Sequence, residues 1–179
     1  MAPGRAIGLI LSLLVLAGLS GAVSNLDPKL APLTPLLDKD WRGMLKAPDG
    51  SAEWETLYRF EAVWGGKVIK STRTTPARNS VEEAYIYWDD PAQKPAFFSI
   101  QSSGVFATGF VSVEGKVLTF EGRMTWPDPP PNPGVKQSYD FRNTFEVLSE
   151  SEMVDRWFQN AFGPWRPGHV INFRAAKSN

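Results

Sequence analysis

Few side chains in this sequence are equipped for chemistry, and the most telling pair is Arg73 with Tyr58. The run Trp54 to Trp64 (WETLYRFEAVW) reaches Gly65-Gly66 and returns as Lys67 to Thr75 (KVIKSTRTT). A two-residue turn there pairs Trp64 with Lys67 and fixes the register. Tyr58 then stands across from Arg73, on the face that also carries Trp54, Phe60, Ala62, Ile69 and Ser71. An arginine fork and a phenol hydroxyl on an apolar lining offer donors to a carboxylate or another anionic head group. The plainer reading is an arginine near a strand end whose stem lies on apolar surface while its head reaches water. His169, the only histidine, alternates with Ile171 and Phe173 in HVINFR and so faces inward. A lone histidine of this kind is either a ligand-binding group or a hydrogen-bonded structural residue at a rim. No Gly-x-Ser-x-Gly elbow accompanies it, which argues against a hydrolytic triad. The acidic pairs do less. Glu82 and Glu83 point to opposite faces of a strand and cannot form a general acid/base dyad, while Asp89-Asp90 before a proline reads as a turn.

The elements that position these groups are short alternating strands. Val105 to Trp126 (VFATGFVSVEGKVLTFEGRMTW) reads as a hairpin about Glu114-Gly115. If Val113 faces Lys116, then Val111 faces Leu118, Gly109 faces Phe120, Ala107 faces Gly122 and Val105 faces Met124, a wholly apolar face. The other face sets Thr108 against Glu121 and Phe106 against Arg123, and is suited to water. Further strands are predicted over Trp41 to Lys46, Val81 to Trp88, Ala96 to Ser102, Tyr139 to Leu148, Met153 to Phe162 and His169 to Arg174. Tyr139, Phe141, Asn143, Phe145 and Val147 share one face. In the strand from Met153, either Arg156 and Phe158 or Trp157 faces inward. Glu61 is expected across from Lys70 as a cross-strand charge pair. About ten strands joined by tight turns read as an all-β, up-and-down antiparallel barrel, because closure removes the two free edges of an open sheet. A barrel of this size has room for one small ligand. The side chains expected to line it and touch a ligand are Arg73, Tyr58, Phe60, Phe120, Met124, Tyr139, Asn143 and His169. Seven Trp, eleven Phe and four Tyr are enough for a ligand cage and for an ordinary core, and the sequence does not sort them.

Composition sets the outer bounds. Residues 1–24 carry one positive charge, an apolar run and small residues at Ser20-Gly21-Ala22 or Ala22-Val23-Ser24, the pattern of a secretory signal peptide. Its apolar run is short for a membrane span, so the expected mature product has no transmembrane segment and is periplasmic or secreted. Residues 25–40 form a proline-broken lead-in in which Leu30, Leu33, Leu36 and Leu37 back a turn or two. This segment is either a plug over a barrel end or an apolar-backed approach to the first strand. The barrel domain is expected over 41–179. Cysteine is absent, which excludes disulfides and, with a single histidine, most zinc sites; no metal is expected. Lys and Arg balance Asp and Glu at 19 each, leaving no basic surface for nucleic acid. The stretch 127–134 holds five prolines in eight residues and reads as a stiff loop.

The mature start LAPLTPLLDKDWRGML and the ending WRPGHVINF, with a strand meander between, resemble uncharacterised bacterial envelope proteins with a lipocalin-like domain. More distantly the chain is similar to the calycins, which include lipocalins, fatty-acid-binding proteins and the haem-binding nitrobindins. The resemblance implies that Trp41, in the first strand, takes a cation–π contact from Arg174 in the last. Lys39 stands where lipocalins have glycine. Fatty-acid-binding barrels use arginine and tyrosine to hold a carboxylate, which by likeness falls to Arg73 and Tyr58. Nitrobindins ligate haem iron through a late histidine, which by likeness falls to His169. The first reading of function is therefore a binding protein for a small hydrophobic molecule or lipid with an anionic end, working without a cofactor. The others are an envelope interaction module with a packed barrel, a haem protein through His169, and a barrel enzyme of isomerisation or cyclisation.

Overall fold

In the computed structural model, which describes residues 25–127 and 135–177, ten antiparallel strands close into one barrel. They are β1 (Lys39–Lys46), β2 (Glu53–Val63), β3 (Val68–Thr75), β4 (Ser80–Asp89), β5 (Lys94–Gln101), β6 (Phe106–Glu114), β7 (Val117–Thr125), β8 (Ser138–Ser149), β9 (Glu152–Gln159) and β10 (Arg166–Lys177). Each pairs with its neighbour in sequence, and β1 pairs with β10 from Lys39↔Lys177 to Gly43↔Phe173. The expected signal peptide, and all but the first residue of the proline-rich stretch, lie outside the described residues.

Period-two burial explains the walls. Trp41, Tyr58, Phe60, Ile69, Ile86, Phe97, Val111, Leu118, Phe120, Phe141, Phe145 and Phe173 are all buried in one core, and apart from the buried Val68 and Ala96 their strand neighbours are at least partly exposed. The central hairpin differs from expectation by two residues. Its turn is Gly115-Lys116, with Gly115 at φ 60°, so Val113 pairs with Leu118, Val111 with Phe120, Gly109 with Gly122 and Ala107 with Met124. Glycine at the first central position of a two-residue hairpin suits the strand twist. A slip of two leaves every side chain on its predicted face. It also brings two glycines together, where a Cβ on Gly109 would overlap the Glu121 carbonyl and one on Gly122 the Thr108 carbonyl.

The β2–β3 connection is longer than two residues, with Val63↔Val68 closing the ladder, but the register holds. Tyr58 pairs with Arg73 and Glu61 with Lys70. Lys70 takes its ion pair from the other side, at 2.6 Å from Glu83. Both are surface groups, and such pairs contribute little.

The residues before β1 plug one end of the barrel. Pro28–Leu36 is a 3-10 helix, in which residues three apart eclipse one another. Leu30, Leu33 and Leu36 therefore project as one row, and with Leu37 they are buried in the core. Asp27 caps the helix by accepting from the Lys29 amide. Trp41 Nε1 donates to the Leu36 carbonyl at 3.0 Å, fixing plug to barrel. The other end, formed by the β1–β2, β3–β4, β5–β6, β7–β8 and β9–β10 connections, has no helical plug among the described residues and is here the open end, although Val105, Trp126, Val135 and Ala161 of those connections pack on the core.

The lipocalin-like contact between Trp41 and Arg174 does not form. Phe173 takes the inward position in β10, so Arg174 points out, with its side chain 85% exposed and 3.8 Å from Glu152. The cation over the Trp41 ring is Lys39, at 5.4 Å.

Candidate functional site

Along the barrel axis the lining changes character. Near the plug it is hydrocarbon and aromatic. Toward the open end the same strands present Thr56, Ser71, Arg73, Thr75, Glu82, Ser99, Asn143, Asp155, Trp157 and His169. Tyr58, Phe60, Ser71, Arg73, Glu82, Ser99, Phe120, Met124, Phe141, Asn143, Phe145 and Trp157 surround a cavity of about 50 Å³. That holds a few water-sized groups, since one water needs about 10–15 Å³. It is far below the roughly 300–1,000 Å³ of pockets that enclose drug-sized ligands. Aromatic rings account for the tightness. Tyr58 stacks on Phe60 at 5.5 Å and meets Phe145 edge-on at 5.5 Å, and Phe97 meets Phe120 at 5.6 Å.

Arg73 is the centre of the polar half. Its guanidinium carbon lies 5.4 Å from the Tyr58 ring centroid, a cation–π distance. No carboxylate among the described residues comes within ion-pairing distance of it. Its cross-strand neighbours are Tyr58 on β2 and Glu82 on β4. Burial pushes the Tyr58 hydroxyl well above the usual phenol range. It also raises Glu82 above the ordinary carboxylate value, and the Arg73 charge and the Ser99 hydroxyl offset this only in part.

Asp155 and His169 form the second group. Asp155 is fully buried, and its Oδ2 lies 3.2 Å from His169 Nε2. A bulge presents the histidine: Pro167 pairs with Phe158 and Val170 with Arg156, so Gly168 and His169 together oppose Trp157. Trp157 stacks on His169 at 6.0 Å and on Phe141 at 4.6 Å. This settles the strand that the sequence left ambiguous, with Trp157 inward.

Of the residues expected to touch a ligand, Tyr58, Phe60, Arg73, Phe120, Met124 and Asn143 share the cavity. Tyr139 is spent on packing, its hydroxyl donating to Met124 Sδ at 2.9 Å. His169 reaches the cavity only through Trp157. Glu82, Ser99 and Asp155 were not anticipated as neighbours of the cavity, and Trp157 only as one of two alternatives for the inner face of its strand. The alternation of Glu82, Ala84 and Ile86 was their available signal, as was one aspartate inside the apolar start of MVDRWF.

Haem does not fit this arrangement. His169 Nε2 is engaged by Asp155, its ring is stacked on Trp157, and the cavity beside it is far too small for a macrocycle. Among the described residues no cluster of His, Asp and Glu has the makings of a metal site, and no helix is long and apolar enough to cross a membrane.

No family model matches the sequence, and no curated protein matches it. Among solved structures the barrel is similar to Rv2717c from M. tuberculosis, with 20% identity and a TM-score of 0.56 over 84% of this chain and 99% of that one. At that identity the likeness establishes the architecture: this chain is a closed ten-stranded antiparallel β-barrel.

Proposed function

We propose that the protein is an exported binding barrel whose open half holds the polar end of a small molecule on Arg73. The observation that carries this reading is the guanidinium itself, placed on the barrel lining beside Tyr58 without an ion-pair partner among the described residues. A guanidinium so placed is a ready fork for a carboxylate or similar acceptor. The plugged half supplies a rigid floor of rings. A long acyl chain would have to displace the stack of Tyr58, Phe60 and Phe145, so the space suits a compact ligand over a lipid.

The test is a titration with short carboxylates, read by 19F NMR of protein labelled with 5-fluorotryptophan, in which Trp157 reports on the cavity. Arg73→Met is expected to weaken binding about ten- to a hundredfold, the range for hydrogen bonds to a charged group. Equal affinity in both proteins would remove the proposal. Export is tested by cell fractionation: a mature chain lacking about the first 24 residues is expected outside the cytoplasm, and an intact cytoplasmic chain would overturn that part.

A second reading, an interaction module, draws on the outer wall. Tyr87, Phe98, Ile100, Phe106 and Phe110 are exposed on β4, β5 and β6, with Ile100 paired to Phe106. Contiguous apolar surface of this kind marks contact sites. Phe98→Ser with Ile100→Ser would abolish an association made there while leaving cavity binding intact.

A further inference from the structure

A hollow far roomier than the interior cavity lies on the outer wall of the barrel. It holds about 620 Å³, within the roughly 300–1,000 Å³ of pockets that take small ligands. The strand ladders explain it. Ala96 on β5 stands between Tyr87 on β4 and Phe110 on β6, so a single methyl separates two rings on the outer face. Beyond them the floor is the bare backbone of Gly109 and Gly122, and Asp140 with Trp165, which precedes β10, closes the β8 side. Tyr87, Phe110 and Trp165 are 40%, 38% and 51% exposed. Three half-exposed rings about one groove form a surface for apolar contact.

The charges define what else the ligand carries. Asp89, Glu121, Arg123 and Asp140 stand on the walls. Lys94 Nζ lies 3.9 Å from the Phe110 ring centroid and the Arg142 guanidinium 5.7 Å from that of Trp165. Three acids are thus set among three bases. Arg123 is 3.6 Å from Asp140, and Arg142 pairs with Glu121, all four side chains about half exposed. Pairs this wet contribute little and change partners at low cost. An ionic ligand would meet as many like charges as opposite ones. A hydroxyl both donates and accepts, so a neutral polyol finds a partner at an acid and at a base alike. We propose that this groove binds a neutral oligosaccharide, with the C–H faces of its rings on Tyr87, Phe110 and Trp165 and its hydroxyls on the two arginine–carboxylate pairs. The site is separate from the Arg73 cavity, and it shares Tyr87 and Phe110 with the apolar outer wall.

The probes are cellotetraose, maltotetraose and chitotetraose, beside tetragalacturonate as an anionic tetramer, tetraglucosamine as a cationic one, and decaproline, a peptide type that also packs on aromatic rings. The readouts are calorimetry and the Trp165 19F resonance of 5-fluorotryptophan-labelled protein, assigned with Trp165→Phe. At least one neutral tetramer is expected to move that resonance and to bind about tenfold tighter than both charged ones. Its affinity should hold from about 50 mM to about 500 mM salt, because screening does not act on a neutral ligand. Tyr87→Ala and Trp165→Ala should each weaken it about five- to tenfold. Arg73→Met, and Phe98→Ser with Ile100→Ser, change residues outside the groove and should leave it unaltered. Charged tetramers that bind as tightly would overturn the proposal, as would binding of decaproline alone, which would make this a peptide groove. Sugar binding indifferent to both Tyr87→Ala and Trp165→Ala, or no response to any probe, would also overturn it. Each of these outcomes leaves the Arg73 reading standing.

Discussion

The two halves of the barrel are built from the same strands and obey the same alternation, yet they are finished differently. Around the plug, Leu33, Leu36, Trp41, Phe60, Ile86, Leu118 and Phe173 meet one another with almost no exposed surface, and the one buried donor in that group, Trp41 Nε1, has its carbonyl. Toward the open end Arg73, Glu82, Asn143 and Asp155 face inward, and two of their oxygens go unmatched. A strand of eight to twelve residues puts only four to six side chains on its inner face, so one segment serves both ends and a change of two residues moves from one regime to the other. The teaching is that a well-packed floor lets the other half keep polar groups that a folding optimum would discard.

The largest effect that bears on this contrast is expected at Phe60. Truncation to alanine removes a ring stacked on Tyr58 and set edge-on to Phe145 at 6.1 Å, and should cost about 3–5 kcal/mol, measured as a lower urea midpoint at constant slope. A loss below about 1 kcal/mol would mean that the floor is loosely packed, which breaks the contrast.

A smaller effect belongs to the hydroxyl pair Thr56 and Thr75, both buried near the open end with their oxygens 3.0 Å apart. Thr56→Val leaves one hydroxyl without its partner and should cost about 1–3 kcal/mol. The double change to valine should restore stability to within roughly 1 kcal/mol of wild type, because no group is then left unmatched. Smaller again, and opposite in sign, is Asn143→Leu. It replaces an unmatched acceptor with hydrocarbon and should raise stability by about 1 kcal/mol. A loss there would show that the amide is already held.

How much of this could be read from the chain depends on whether a feature is local. Faces were legible because alternation survives a slip of two, as the Gly115 hairpin shows. The placing of Tyr58 across from Arg73 was legible because a short glycine turn ties β2 to β3. The plug was half legible: prolines at 28, 32 and 35 hide a helix from a 3.6-residue pattern, while leucines at 30, 33 and 36 keep the three-residue period of a 3-10 turn. The Arg174 contact failed on parity, since Phe173 and Ile171 claim the inner face of β10. The company of Asp155 was not legible at all. Arg73 on β3 and Asp155 on β9 share one interior only because the sheet closes, and no spacing along the chain encodes that.

The finest discrimination between the two halves comes from pH. Glu82 stands opposite Arg73 in the ladder, and two forces act on it: burial favours the neutral acid, while the guanidinium and the Ser99 hydroxyl favour the anion. Burial prevails, so the carboxyl holds its proton more tightly in the folded chain than in the unfolded one. The sign follows from linkage. The stability this group contributes is fully present below its unfolded value of 4.5 and is lost as pH rises through the higher folded value. Glu82→Gln stays neutral throughout and escapes that loss. The unfolding free energy of the variant minus that of the wild type should therefore climb as pH is raised from below 4.5 toward neutrality, then level off once wild-type Glu82 is ionised. A difference that falls instead would mean that Arg73 holds the anion, making the open half a satisfied ion pair much like an ordinary core and leaving Arg73 less free to bind anything else.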